Sequence, residues 1–182
     1  LPPCMQAAEP IEILRTRRLR LRQFTPADAG LVVALLNSPG WLRYIGDRGV
    51  RDIAQARDWM ACRLLNHYAE TGHGFWAVER LDDGAPVGLC GLIHREGLPV
   101  PDLGYALLPE QEGQGFAREA AAACLVHGHQ VLKMPRILAI TSPENLASAR
   151  VLAHIGMQEI GNVRLPNDPP DAPPLRLFES LA

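Results

Sequence analysis

The sequence predicts an α/β (α+β) layer fold, with a mixed sheet of about seven strands and about four helices packed on it. The order of elements carries that prediction: strand, two helices, three strands, helix, strand, helix, two strands. Period-2 apolar patterning marks the half-buried strands, and an alanine-rich run of high helix propensity marks the longest helix.

Leu19, Leu21 and Phe24 alternate with Arg18, Arg20 and Arg22, the pattern of a strand with one wet face. Thr25-Pro26-Ala27-Asp28 then combines an N-cap hydroxyl, a proline in the first turn and an acid three residues after the cap. A helix is expected from there to about Asn37, with Leu31, Val32, Leu35 and Leu36 inward, and Ser38-Pro39-Gly40 should end it. Trp41 and Tyr44 fall in the loop beyond.

Asp52 to about His67 reads as a second helix, closed by Thr71-Gly72-His73-Gly74. Phe75–Leu81 and Val87–Ile93 flank Asp82-Asp83-Gly84 as an antiparallel hairpin. Leu103–Leu108 is a third strand, and Phe116 to about Leu132 is the alanine-rich helix. Ile137–Thr141 is a short buried strand, and Ser142-Pro143-Glu144-Asn145 opens a helix to Ile155, with Gly156 at its C-terminal end. Met157–Val163 and Leu175–Leu181 complete the sheet, joined by a loop holding five prolines between Leu165 and Pro174.

A chain of 182 residues suits one domain over 1–182, with residues 1–10 expected to be flexible. The 18 basic and 20 acidic residues give a net charge of −2, against the basic excess of a general nucleic-acid binder. Cys4, Cys62, Cys90 and Cys124 form no C-x-x-C pair, which fits reduced thiols in a cytoplasmic protein, three of them core or helix residues. The amino terminus lacks the basic start and apolar stretch of a secretory signal. No apolar run is long enough to span a membrane, so no membrane partner is expected. The six histidines show no metal-binding spacing.

The chemically informative segment runs strand, glycine turn, helix: Leu107-Leu108-Pro109-Glu110-Gln111-Glu112-Gly113-Gln114-Gly115-Phe116-Ala117-Arg118. Unpaired N–H groups at a helix start, backed by the helix dipole, can cradle a phosphate, and Arg118 could add a charge. A tight turn without a ligand is the competing reading. A Walker-type loop needs Lys-Ser or Lys-Thr where Phe116-Ala117 stands, and a dinucleotide fingerprint needs a small residue in place of Arg118.

Glu112-Gly113-Gln114-Gly115-Phe116-Ala117 resembles the acetyl-CoA loop Q/R-x-x-G-x-G/A of the GNAT superfamily of N-acetyltransferases, with an acid in its first position. Asn145-Leu146-Ala147-Ser148-Ala149-Arg150-Val151-Leu152, ending in Ile155-Gly156-Met157, resembles a block of the branch that acetylates ribosomal-protein amino termini. Thr16-Arg17-Arg18-Leu19-Arg20-Leu21-Arg22 and Leu103-Gly104-Tyr105 are similar to two further segments of that branch. The resemblance implies a sheet splayed between the strands at Leu103–Leu108 and Ile137–Thr141, with acetyl-CoA as cosubstrate in the cleft and no metal.

It further implies that the N–H groups of Ala106, Leu107 and Leu108 face the pantetheine arm and thioester. Gly113, Gln114, Gly115, Phe116, Ala117 and Arg118 would hold the pyrophosphate. Asn145 would bond the pantetheine amides or cap its helix, and Ser148 would lie at the cofactor and protonate the departing thiolate. Leu152 stands where many members carry a tyrosine for that step. Asp102 is the first choice for the general base, ahead of Glu96 and His94. The acceptor would be a small-molecule or protein N-terminal amine, attacked directly in a ternary complex by a monomer or homodimer. A CoA-binding sensor that has lost catalysis stays open beside that reading.

Overall fold

The computed structural model describes residues 9–182; Cys4 and most of the segment expected to be flexible fall in residues 1–8, outside the described residues. Eight strands form one sheet in the order β1-β2-β3-β4-β5-β6-β8-β7. They are β1 (Glu12–Arg15), β2 (Leu19–Arg22), β3 (Phe75–Arg80), β4 (Pro86–Ile93), β5 (Asp102–Leu107), β6 (Arg136–Thr141), β7 (Gln158–Val163) and β8 (Leu175–Leu181). Every neighbouring pair is antiparallel except β5 with β6.

The seven expected strands are all present, and β1 is the addition. Its sequence Glu-Ile-Leu-Arg has no alternation, because the pairing with β2 is irregular between Glu12 and Leu14. Ile13 and Leu14 both pack on the same core as a result.

The helices are α1 (Ala29–Leu36), α2 (Pro39–Tyr44), α3 (Ile53–Met60), α4 (Asn66–Thr71), α5 (Phe116–Gln130) and α6 (Leu146–His154). The short helix α2 corrects the loop expected around Trp41 and Tyr44. Ser38-Pro39-Gly40 does end α1, but Pro39 also stands in the first turn of α2, where its missing N–H is harmless. Burial of Trp41 in the core fixes that turn.

Helices α3 and α4 are joined through a wide π-helical turn, Ala61–Leu65, into one continuous helix. Asp52 caps it by accepting the Gln55 N–H at 2.8 Å. The inward residues Ala56, Met60, Leu64 and Tyr68 recur every four positions. An α-helix turns about 40° too far over such a repeat, and the wider turn winds that drift back.

Each face of the sheet carries a core. Helices α5 and α6 cover Leu19, Leu21, Trp76, Leu92, Leu103 and Ile137, whereas α1 to α4 cover Ala77, Leu89 and Leu108. The feature that positions the site is the β5–β6 seam. Only Asp102 and Leu103 pair with β6, opposite Leu138 and Ala139. Beyond them the strands part, so Gly104–Leu107 lines one wall of a wedge whose apex is Leu103, next to Asp102.

Candidate active site

The loop from β5 to α5 presents a row of free donors. Gly113 and Gly115 hold φ of +77° and +80°, the left-handed region that glycine enters without penalty. This path turns the chain into α5 and leaves the N–H groups of Gly113 through Arg118 without a partner among the described residues. Two buried side-chain atoms beside the loop are also unpaired, Gln111 Oε1 and Trp41 Nε1. Trp41 belongs here because a Cβ on its neighbour Gly40 would lie 4.0 Å from Glu112 Oε1. A diphosphate with amide-bearing substituents fits such a donor set.

Arg18, just before β2, braces the loop. Its Nη1 donates to Gln114 O at 2.8 Å and its Nε to Glu119 Oε1 at 2.7 Å, while the guanidinium lies 4.5 Å from the Phe116 ring centre. Thr16 Oγ1 donates to the same Glu119 carboxylate at 2.5 Å. Glu119 is held below the usual carboxylate range by these bonds against the opposing effect of its burial, which is the larger single influence. Arg118 is exposed in the first turn of α5 and free of ion pairs among the described residues.

Along the wedge, antiparallel alternation decides which amides are available. Leu108 N–H donates to Val87 O at 2.9 Å, and the β4–β5 register is unbroken from Asp102 to Leu107. Ala106 N–H therefore also turns toward β4, and Leu107 and Tyr105 turn toward the gap. Of the three neighbouring amides expected to face the pantetheine, Ala106 and Leu108 are taken up by β4, and Leu107 alone opens on the gap. Consecutive N–H groups of an extended strand cannot share one side without a bulge.

Asn145 caps α6, its Oδ1 accepting the Ser148 N–H at 3.1 Å, which leaves its amide NH2 unpaired among the described residues. Ser148 Oγ lies 2.9 Å from the Tyr105 hydroxyl, which also donates to Ser148 O at 3.1 Å. Tyr105 thus spans from β5 to α6. Burial pushes its hydroxyl up to about 12, against a smaller opposite pull from the bond to Ser148. Leu152, one turn further on, is 1% exposed and packs in the core. The sequence leaves Tyr105 to line the acceptor pocket or simply to pack; its strand parity with Leu103 and Leu107 points it at α6.

Asp102 has the opposite parity and shares its side with Gly104 and Ala106, the latter packed against the α1–α4 core. It is 0% exposed. Arg95 Nη2 stands 3.2 Å from Oδ2, and Arg95 Nε 3.3 Å from each oxygen. Burial raises the Asp102 pKa, and the Arg95 charge opposes that rise. Glu96 is exposed, and His94 is tied through its N–H to His67 Nε2 at 3.1 Å. No cluster of three potential metal ligands occurs among the described residues. His127 stacks edge-on to Trp76, and His129 bonds Met134 O and Ser180 Oγ.

Residues 18–158 match the family described as an acetyltransferase (GNAT) domain. The chain belongs to the GNAT family. The protein YkkB of Bacillus subtilis is 34% identical over 161 residues, covering 86% of this chain and 91% of YkkB. An acetyltransferase structure from Agrobacterium tumefaciens has a TM-score of 0.75 at 28% identity, covering 93% of this chain and 94% of that one. The fold is shared with a spermidine N-acetyltransferase of Vibrio cholerae in complex with CoA and spermine, at a TM-score of 0.72 and 18% identity, covering 91% and 96% of the two chains. As a GNAT domain the protein carries a fold whose members use acetyl-CoA or CoA. No described helix is long and apolar enough to cross a membrane.

Proposed function

We propose that this GNAT protein transfers an acetyl group from acetyl-CoA to a primary amine by direct attack in a ternary complex. The observation that carries the reading is the wedge between β5 and β6. Free amides stand along its rim, and candidate proton-transfer groups lie on opposite faces of its wall. The N–H groups of Gly113 through Arg118, with the Arg118 charge, would hold the pyrophosphate. The Leu107 and Tyr105 amides and the Asn145 NH2 would bind the pantetheine amides and the thioester carbonyl.

On one face, Asp102 would take the amine's proton, directly or through a water. A raised carboxylate pKa suits that task better than the ordinary value of about 4. On the other face, the Ser148 hydroxyl would meet the departing thiolate. That division matches direct transfer, in which acceptor and leaving group lie on opposite sides of the acetyl carbon. We place the protein in the branch that acetylates ribosomal-protein amino termini, because the segments that resemble that branch supply Arg18, which braces the glycine loop, and Tyr105 and Asn145 beside the wedge.

A CoA-binding module without catalysis is favoured by one observation, the buried Leu152 in place of a tyrosine. Acetyl-CoA incubated with a panel of amines separates the readings. Acceptor-dependent release of free CoA thiol is expected, and tight binding with no release for any amine would leave only the binding module.

A further inference from the structure

Strand β4 outlasts its partner β3 at the end nearest Asp102, and two histidines take over the edge that β3 leaves. The β3–β4 ladder ends at Phe75 opposite Gly91. Beyond it, Leu92 N–H donates to Gly74 O at 3.1 Å, His73 Nδ1 bonds Leu92 O at 2.6 Å, and His94 N–H donates to His67 Nε2 at 3.1 Å. Leu92 and His94 have the same parity, so these groups belong to one row, the row that a longer β3 would have met. Thr71 Oγ1 lies 2.8 Å from His67 O and 2.9 Å from His73 O, which ties the end of α4 to the turn before β3.

The partners fix the ring protons. A carbonyl only accepts, so His73 Nδ1 carries a proton; an amide N–H only donates, so His67 Nε2 carries none. His73 can keep its bond in either charge state, whereas His67 keeps its own only while neutral. The His67 ring faces His73, with ring centres 5.9 Å apart, Glu70 on its own helix and His94 at the end of β4. Partial burial first, and then the neighbouring His73, hold His67 below the ordinary histidine range, against the pull of Glu70.

The amide that His67 anchors immediately precedes Arg95, whose Nη2 stands 3.2 Å from Asp102 Oδ2. On the other edge of β4, Ile93 is the register partner of Asp102 itself. The end of β4 thus sets both the backbone and the charge partner of the candidate base. We infer that His67 is a positioning residue for the transfer: its neutral ring replaces a strand partner for His94 and so seats Arg95 on Asp102. Where it concerns rate, this inference rests on the acetyltransferase reading. The charged and titratable groups beside Asp102 are Arg95 and His94. The Arg95 charge favours the ionised carboxylate, so loosening Arg95 should carry the Asp102 pKa further up.

The test compares His67→Leu, which removes the acceptor, with His67→Gln, whose side-chain oxygen can accept the same N–H and does not titrate. In His67→Leu the acid limb of kcat should move to higher pH by roughly half a unit to one unit, with acetyl-CoA affinity unchanged. His67→Gln should keep the wild-type limb, and His67→Leu/Arg95→Gln should shift it no further than Arg95→Gln alone. In the wild-type protein, NMR should show the exchange protection of the His94 amide falling as the His67 ring protonates, and in His67→Gln that protection should persist. A His67→Leu limb at the wild-type pH, or a glutamine variant equal to the leucine one, would overturn the inference while CoA release upholds the acetyltransferase reading. Should no amine release CoA, that reading fails, and the Asp102 carboxyl followed by NMR decides the positioning. An upward shift in His67→Leu then sustains it, and an unmoved titration overturns it.

Discussion

The two faces of the splayed sheet are built in different ways. On the α5–α6 face, contacts join a few continuous segments: Arg18 with Glu119, Tyr105 with Ser148, and the glycine turn with the start of α5. On the α1–α4 face the charged groups come from loops, a π-helical turn and the end of a strand, with Arg95 paired to Asp102 and Arg51 to Asp47 while Arg48 and Arg63 make no ion pair among the described residues. The first face has a fixed hydrogen-bond network that suits a ligand common to the family. The second has unspent charge on loops, where specificity is usually carried.

The largest expected effect tests the first face. In Gly115→Glu the new Cβ is strained at φ +80° by about 1 kcal/mol and stands 3.4 Å from Arg18 Nη2, with a carboxylate beside the phosphate site. Acetyl-CoA affinity should fall by about 100-fold or more, while circular dichroism keeps the native spectrum. Unchanged affinity in calorimetry would show that the free amides of Gly113 to Arg118 hold nothing.

The next effect belongs to the second face. Asp102→Asn should lower turnover by roughly 10²-fold with acetyl-CoA affinity unchanged. The wild-type rate should rise with pH through the elevated Asp102 pKa, and the variant should lose that limb. Stability follows with the opposite sign. A carboxyl whose folded pKa is raised contributes its full stability below its unfolded value near 4, and that contribution is lost as pH rises through the folded pKa. Melting curves of the variant should therefore be flatter over that window. A variant with wild-type rate and pH profile would leave proximity to supply the acceleration.

Both faces differ in how far the chain alone reveals them. The glycine turn is legible because its donors are consecutive residues, and the seven expected strands follow from period-2 patterns that burial enforces. The same local reading takes three neighbouring amides of β5 as equivalent, whereas the ladder with β4 divides them by parity. Helix α2 escapes it because Pro39 ends one helix and begins the next. The wide turn that carries Arg63 leaves one trace, the strict spacing of four from Ala56 to Tyr68.

The smallest effects concern the leaving group and return to the first face. Ser148→Ala should lower turnover by roughly 10-fold, less than Asp102→Asn, because water can protonate a thiolate whose pKa is near 8.5. Tyr105 turns its hydroxyl to Ser148 rather than to that thiolate. Its bond to Ser148 Oγ instead holds the serine hydroxyl in place at the wedge. Tyr105→Phe should thus reduce kcat by only about 3-fold, leave the pH profile in place and spare acetyl-CoA affinity. In the absence of the Ser148 hydroxyl there is nothing left to orient, so Tyr105→Phe/Ser148→Ala should be no slower than Ser148→Ala alone. Additive losses in that cycle, or a Tyr105→Phe loss larger than that of Ser148→Ala, would make the tyrosine itself the group that meets the thiolate.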